Sequence, residues 1–331
     1  MARGGPAGPR IYVTQPIPEN ALARLRELGV VELNPDSAHI VTKPEMVAAL
    51  ERNDYLFCLL HDRADAEVID ASPNLKLIAS MAIIPAGIDV ASATARRIPV
   101  TTIPPLVTEA TADLHWALLL AVARRVVEAD LALRAGVFPG SQSMHFAGRG
   151  VHGKTLGIIG LGQIGEAVAR RAHGFGMRIL YTKRSRLDGA RESSLGVTYR
   201  SLDDLLRESD FVSVNVALAP ETVHLISHRE LGLMRPSAFL VNTARGPVVD
   251  EKALVRALEA KQIAGAALDV YEHEPLVEPG LLNLPNVVLT PHLGSAALDT
   301  RERIAAIVVE NIAAVIEGRR PPNLYNPEIY S

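Results

Sequence analysis

The chain has almost no cysteine. Cys58 is the only one in 331 residues, which excludes an internal disulfide and any cysteine-rich metal centre. It lies in the apolar run 55–60, so a buried structural thiol is expected. An excess of positive charge is missing as well. The 34 Lys and Arg against 37 Asp and Glu leave a net charge of −3 and a pI near 6.4, without the basic footprint that nucleic acid requires. The longest apolar run, 116–123, is far too short to span a bilayer. The Gly/Pro-rich start MARGGPAGPR has no apolar stretch of the kind a secretion signal carries. No low-complexity segment is present. These absences imply a cytoplasmic globular chain with neither membrane nor nucleic acid as partner. Its length suggests about two domains, and its 48% hydrophobic and 21% charged residues are an ordinary globular profile.

What the chain does have is alternation. Strands are predicted at 11–14, 30–33, 55–60, 75–79 and 100–102, with helices at 19–28, 44–51 and 64–71 between them. Such spacing reads as parallel βαβ units, here without a glycine fingerprint. The spacing then predicts one long helix over 109–134, apolar nearly all round at its centre and ended by Gly136. Its burial is expected between domains or between subunits. After a loop-like stretch, 138–153, strands at 154–159, 178–181, 197–199, 211–216, 238–242, 265–270 and 287–290 alternate with helices. Ser201 caps one helix, Ser227 and Glu230 form a capping box for another, and a helix at 299–317 closes the pattern. Six or seven parallel strands of this kind make a doubly wound sheet.

Between two of those strands stands GLGQIG, with Gly160, Gly162 and Gly165 in G-x-G-x-x-G spacing. The first glycine allows the tight turn, the second lets a pyrophosphate approach the backbone, and the third lets helix and strand pack closely. The helix start then faces the diphosphate with free N–H groups. Ligands in open α/β sheets bind beyond the carboxyl ends of the strands, and three ionisable residues follow strands there: Arg245, Glu274 and His292. Arginine offers a planar fork for a carboxylate. Histidine transfers protons near neutral pH, and a neighbouring carboxylate orients it and favours its protonated form. With a nicotinamide on the glycine turn, these groups suit interconversion of a 2-hydroxy acid and a 2-oxo acid. Adjacent residues do not share a face, so Glu272, His273 and Glu274 do not make a metal site, and none is expected.

NTARGPVVDE, LDVYEHEP and TPHLGS, together with GLGQIG, resemble the signature segments of the D-isomer-specific 2-hydroxyacid dehydrogenases. The resemblance is greatest to the glyoxylate/hydroxypyruvate reductases, and it covers nearly the whole chain. It implies an α/β fold of two doubly wound parallel-sheet domains, a flavodoxin-like substrate domain (1–107 with 299–331) and a Rossmann nucleotide-binding domain (108–298). It implies Arg245 as carboxylate binder, Glu274 as histidine partner, His292 as acid/base, Asp269 near the nicotinamide carboxamide, and a homodimer through the long helix. The residues expected to line the cofactor are Gly160, Gly162, Gln163, Ile164 and Gly165 of the turn; Thr182, Arg184 and Ser185 beyond the next strand; and Val216, Thr222, Thr243, Ala244, Asp269 and Gly294 at later strand ends. His115, His145, His152, His173 and His224 are expected to be ordinary surface or packing residues.

Two features depart from the family pattern. Residues 182–186, TKRSR, carry no carboxylate to bind a ribose 2′-OH, while arginine and hydroxyl donors there suit a 2′-phosphate. NADP(H) is therefore the preferred cofactor, with NAD(H) also usable. In the substrate loop, Ile84 stands where the family usually has glycine, and Pro85 has no N–H to offer. Ile83 and Ile84 either line a more apolar substrate pocket or pack under the loop. The expected activity is reduction of a small 2-oxo acid to the D-hydroxy acid, with Ile83, Ile84, Arg245 and His292 binding substrate. The alternatives are a dehydrogenase of a bulkier 2-oxo acid or phosphoglycerate, and a dinucleotide-sensing, co-repressor-like binding protein.

Overall fold

The computed structural model describes residues 8–141 and 144–331. The first seven residues of the expected N-terminal tail, and residues 142 and 143 of the expected loop, lie outside them. The chain forms two compact units, one of Met1–Leu106 with Ala296–Ser331, the other of Val107–Ser295.

The first unit holds strands β1 (Arg10–Val13), β2 (Val30–Leu33), β3 (Tyr55–Cys58), β4 (Leu77–Ser80) and β5 (Val100–Thr101). Helices α1 (Glu19–Leu28), α2 (Lys43–Leu50), α3 (Ala66–Asp70) and α4 (Val90–Ala95) alternate with them. The strands lie parallel in the order β2-β1-β3-β4-β5, the flavodoxin-like order. α1 buries Ala21, Leu22 and Leu25, while Leu28, on the same side by helical period, is half-buried. Beyond the last helix of this unit, the chain returns to β5. Thr101 pairs antiparallel with Leu324, and the Asn326 side chain bonds Val100 N and Ile98 O at 2.8 and 3.0 Å. An exposed strand edge is thereby covered. The thiol of Cys58 is buried, which pushes its pKa far up, as expected of a structural residue.

The second unit opens with α5 (Thr108–Ala123) and α6 (Val126–Arg134), and its sheet contains β6 (Thr155–Ile159), β7 (Arg178–Thr182), β8 (Val197–Tyr199), β9 (Phe211–Val214), β10 (Phe239–Asn242), β11 (Gly265–Leu268) and β12 (Val287–Leu289). Helices α7 (Gln163–Gly174), α8 (Gly189–Leu195), α9 (Leu202–Glu208), α10 (His228–Leu233) and α11 (Glu251–Glu259) cover the sheet. All pairs are parallel and the order is β12-β11-β10-β9-β6-β7-β8, the Rossmann order extended by one strand. Alternation along each strand divides the core between the two faces. Ile158, Tyr181 and Val241 join one apolar cluster, while Ile159, Leu180 and Leu240 join the other. The last helix, α12 (Leu298–Ile316), belongs to the first unit, where it packs on α1 and β4. No helix among the described residues is long and apolar enough to cross a membrane.

The single helix expected over 109–134 is two. The carbonyl of Ala123 accepts from Arg149 N at 2.7 Å, and Arg125 takes a left-handed φ of 54° while its guanidinium grips Glu128 at 2.6 and 2.7 Å. The returning loop thus takes up a carbonyl at the break. The apolar belt of α5 is buried inside its own unit, against α7, β10 and β11, while α6 has no buried residue. Helices α4 and α8 are additions to the expected pattern. Each is announced by an aspartate cap: Asp89 accepts from Ser92 N and Asp188 from Arg191 N.

Candidate active site

The glycine turn connects β6 to the twelve-residue helix α7. Gly160 has φ 93°, and a side chain there would lie 2.8 Å from Val216 N. A Cβ on Gly165 would come within 2.3 Å of Gly160 O, so close packing of helix on turn requires glycine. Gly162 differs: a Cβ there meets nothing within 4 Å. No internal packing demands glycine at that point, whereas a diphosphate on the exposed helix start would. These residues therefore fit a dinucleotide. Gln163 is exposed and Ile164 half-buried on the first turn of α7.

Beyond β7, the predicted cluster is dispersed by its own ion pairs. Arg184 Nη2 lies 2.5 Å from Glu221 Oε1, and Arg186 forms two bonds to Glu192 at 2.8 and 3.0 Å. Lys183 Nζ donates to Leu161 O at 3.3 Å, within the glycine turn. Thr182 is half-buried and Ser185 exposed. Val216 abuts the turn, and Thr222 closes its own loop by accepting from Ala219 N and donating to Ala217 O, each at 2.8 Å.

Arg245, Glu274 and His292 follow β10, β11 and β12, which are neighbours in the sheet. His292 Nδ1 lies 2.8 Å from Glu274 Oε2, and the other carboxylate oxygen accepts from Tyr271 N at 3.0 Å. His292 has a left-handed φ of 55°, stabilised by its N–H to Asp269 O at 2.8 Å. Asp269 is buried, which raises its pKa. Its carboxylate accepts from Thr290 Oγ1, Leu293 N and Gly294 N at 2.6–2.8 Å, and so shapes the turn that carries His292. Asn242 does the same for Arg245, donating to its carbonyl and accepting from Ala244 N, both at 3.0 Å. The exposed guanidinium of Arg245 bonds Ala244 O at 2.6 Å, and no carboxylate among the described residues is in salt-bridge reach of it. A Cβ on the next residue, Gly246, would lie 1.9 Å from the Tyr271 carbonyl. Only glycine lets the Arg245 loop press so closely on the segment leading to Glu274.

Two braces were not legible in the sequence. Thr111 and His115, one turn apart on α5, reach Gly294 O at 3.1 Å and Thr243 Oγ1 at 3.4 Å. His115 is fully buried, and burial pushes its pKa down to about 3, so it stays neutral. It is a packing residue, as the sequence suggested, but it packs on the loop that carries Thr243, Ala244 and Arg245. Two polar residues four apart in an apolar helix were the available signal.

Ile83 and Ile84 belong to the first unit. Their turn is held by Ala64 N to Gly87 O and Asp89 N to Ala64 O, both at 2.9 Å, and by the close approach of Gly87 to Asp62 O. Pro85 is buried and Ile83 half-buried, but Ile84 is 59% exposed and does not pack under the loop.

The family model for the D-isomer specific 2-hydroxyacid dehydrogenase, NAD binding domain, matches residues 116–294. The chain belongs to the D-isomer-specific 2-hydroxyacid dehydrogenases. The resemblance read from the four motifs is thereby borne out, and with it an oxidoreductase that binds a nicotinamide dinucleotide. This dehydrogenase is 48% identical to a glyoxylate reductase of Thermococcus kodakarensis, over 97% of each chain. Among solved structures it is similar to a Thermus thermophilus protein (44% identity, 96% and 99% of the chains covered, TM-score 0.86). It is also similar to the NADPH-dependent glyoxylate/hydroxypyruvate reductase of Sinorhizobium meliloti in complex with NADP and malonate (34% identity, 96% and 97% covered, TM-score 0.74).

Proposed function

We propose that this dehydrogenase reduces a small 2-oxo acid of the glyoxylate or hydroxypyruvate kind to the D-2-hydroxy acid, with NADP(H) preferred over NAD(H). The observation that carries this reading is the 2.8 Å contact between His292 Nδ1 and Glu274, on strand ends next to that of Arg245. The names of the Thermococcus and Sinorhizobium relatives support the substrate class. Arg245 holds the substrate carboxylate through its planar fork. Glu274 engages Nδ1 and orients the ring, so His292 passes a proton from Nε2 to the substrate carbonyl oxygen, and takes it back in the reverse direction. Nicotinamide, when bound, supplies the two electrons that reduce the carbonyl carbon. Gly160, Gly162, Gln163, Ile164 and Gly165 hold the diphosphate. Thr182, Arg184 and Ser185 face the 2′-phosphate end, and Val216, Thr222, Thr243, Ala244, Asp269 and Gly294 complete the cofactor's surroundings.

The seven-stranded unit takes the dinucleotide-binding role and the five-stranded unit the substrate-selecting one, through Ile83 and Ile84. A homodimer is supported by the apolar side chains that α6 and the following residues expose, including Leu131 at 61% and Phe138 at 79%.

Purified protein is expected to oxidise NADPH with glyoxylate or hydroxypyruvate in a panel of 2-oxo acids. Binding of NADPH with no turnover across that panel would instead favour a dinucleotide-sensing protein. In the same assay kcat/KM with NADPH is expected to exceed that with NADH, and a tenfold advantage for NADH would refute the preference. Replacing Arg184 by Ala removes one charge-assisted contact, worth about 1.5 kcal/mol. KM for NADPH should rise on the order of tenfold, with a smaller change for NADH.

A further inference from the structure

Arg184 and Glu221 come from loops that follow different strands, β7 and β9. In the sheet those strands flank β6 on either side, and β6 ends in the glycine turn. Both loops also touch that turn: Lys183 bonds Leu161 O, and Val216 packs against Gly160. The Arg184–Glu221 pair at 2.5 Å therefore straps together the two loops that border the turn. The other arginine of the loop, Arg186, is held away by Glu192 and the ring of Tyr199, 5.3 Å from the guanidinium. A 2′-phosphate reaching Arg184 must compete with a carboxylate for the same fork.

We propose that Glu221 is a specificity-determining residue that limits the preference for a 2′-phosphorylated dinucleotide, by competing with the phosphate for the Arg184 guanidinium. The proposal rests on the assignment of Arg184 to the 2′-phosphate. A dinucleotide with a free 2′-OH carries no group that rivals the carboxylate, so it binds with the strap intact. A phosphate has to displace Glu221 and then remain beside its negative charge. Both parts are exposed, with Arg184 at 84% and Glu221 at 57%, so the effect is modest and screened by salt.

The test is Glu221→Gln, which keeps the side-chain shape and removes the charge. Dissociation constants for NADPH and NADH are measured by fluorescence titration at low and high salt, for wild type, Glu221→Gln, Arg184→Ala and the double variant. Glu221→Gln is expected to tighten NADPH roughly three- to fivefold relative to NADH. The gain should shrink as salt rises and shrink again when Arg184 is absent. An NADPH-to-NADH affinity ratio within twofold of wild type, or equal tightening of both cofactors, would overturn the proposal. The two readings fail separately. A wild type that prefers NADH defeats the cofactor preference while the shift caused by Glu221→Gln still tests the strap. A wild type that prefers NADPH, with no shift in the variant, defeats the strap alone.

Discussion

His292→Asn is expected to lower kcat for 2-oxo acid reduction by about 10²–10⁴-fold, the range lost when a positioned proton donor is removed, while NADPH affinity stays within about twofold of wild type. Asparagine is the informative replacement because His292 sits at a left-handed φ of 55°, a conformation asparagine adopts far more readily than alanine. Its amide can still donate to Glu274, so the 2.8 Å contact retains a hydrogen-bonding partner and the turn shaped by Asp269 is preserved. What asparagine lacks is an ionisable ring nitrogen that can pass a proton to the substrate. Steady-state kinetics with glyoxylate and a direct titration of NADPH separate these effects. Wild-type kcat in the variant would remove His292 from the acid/base role.

Arg245→Met should reduce kcat/KM for the 2-oxo acid on the order of 10²–10⁴-fold, mainly through KM. A carboxylate held by two charge-assisted bonds loses about 1.5–3 kcal/mol for each, and each 1.4 kcal/mol is about tenfold. Arg245→Lys restores a point charge without the fork, so it should recover only part of the loss. Because the Arg245 guanidinium is exposed and its hydrogen bond is to the neighbouring Ala244 carbonyl, truncation breaks no ion pair that holds the fold. Unchanged thermal unfolding together with a large rise in KM for glyoxylate is the expected pattern. An unaltered KM would mean that another group holds the carboxylate.

Much of the architecture was legible because its signals are local. α1 follows from the helical spacing of Ala21, Leu22, Leu25 and Leu28, the cap of α9 from Ser201, and the dinucleotide turn from three glycines between a strand and a helix. Arg245, Glu274 and His292 stood out because their strands end just before them. Besides the short capped helices α4 and α8, the features that escaped are those in which a local preference yields to a distant partner. Residues 109–134 favour one helix by composition, but the Ala123 carbonyl is taken by Arg149, and nothing near Ala123 announces that. The reach of His115 to Thr243 spans 128 residues, and the pairing of Arg184 with Glu221 spans 37. Such contacts depend on strand order, which follows from the whole topology and from no single segment.

The way the C-terminal stretch closes β5 bears on the order in which the chain acquires its structure. The second unit is contiguous, Val107–Ser295, so all of it is available once those residues have been synthesised. The first unit is not: its sheet is laid down by the opening residues, yet α12 and the Leu324 and Asn326 contacts arrive last. During synthesis, at about 5–20 residues per second, the β5 edge and the face that α12 covers stay unsheltered while the whole second unit emerges. Completion of the first unit is therefore a late, long-range closure, of the kind that slows folding and leaves strand edges open to other chains. The newborn chain is thus open to misassociation until the 36 residues Ala296–Ser331 have joined the rest of their unit.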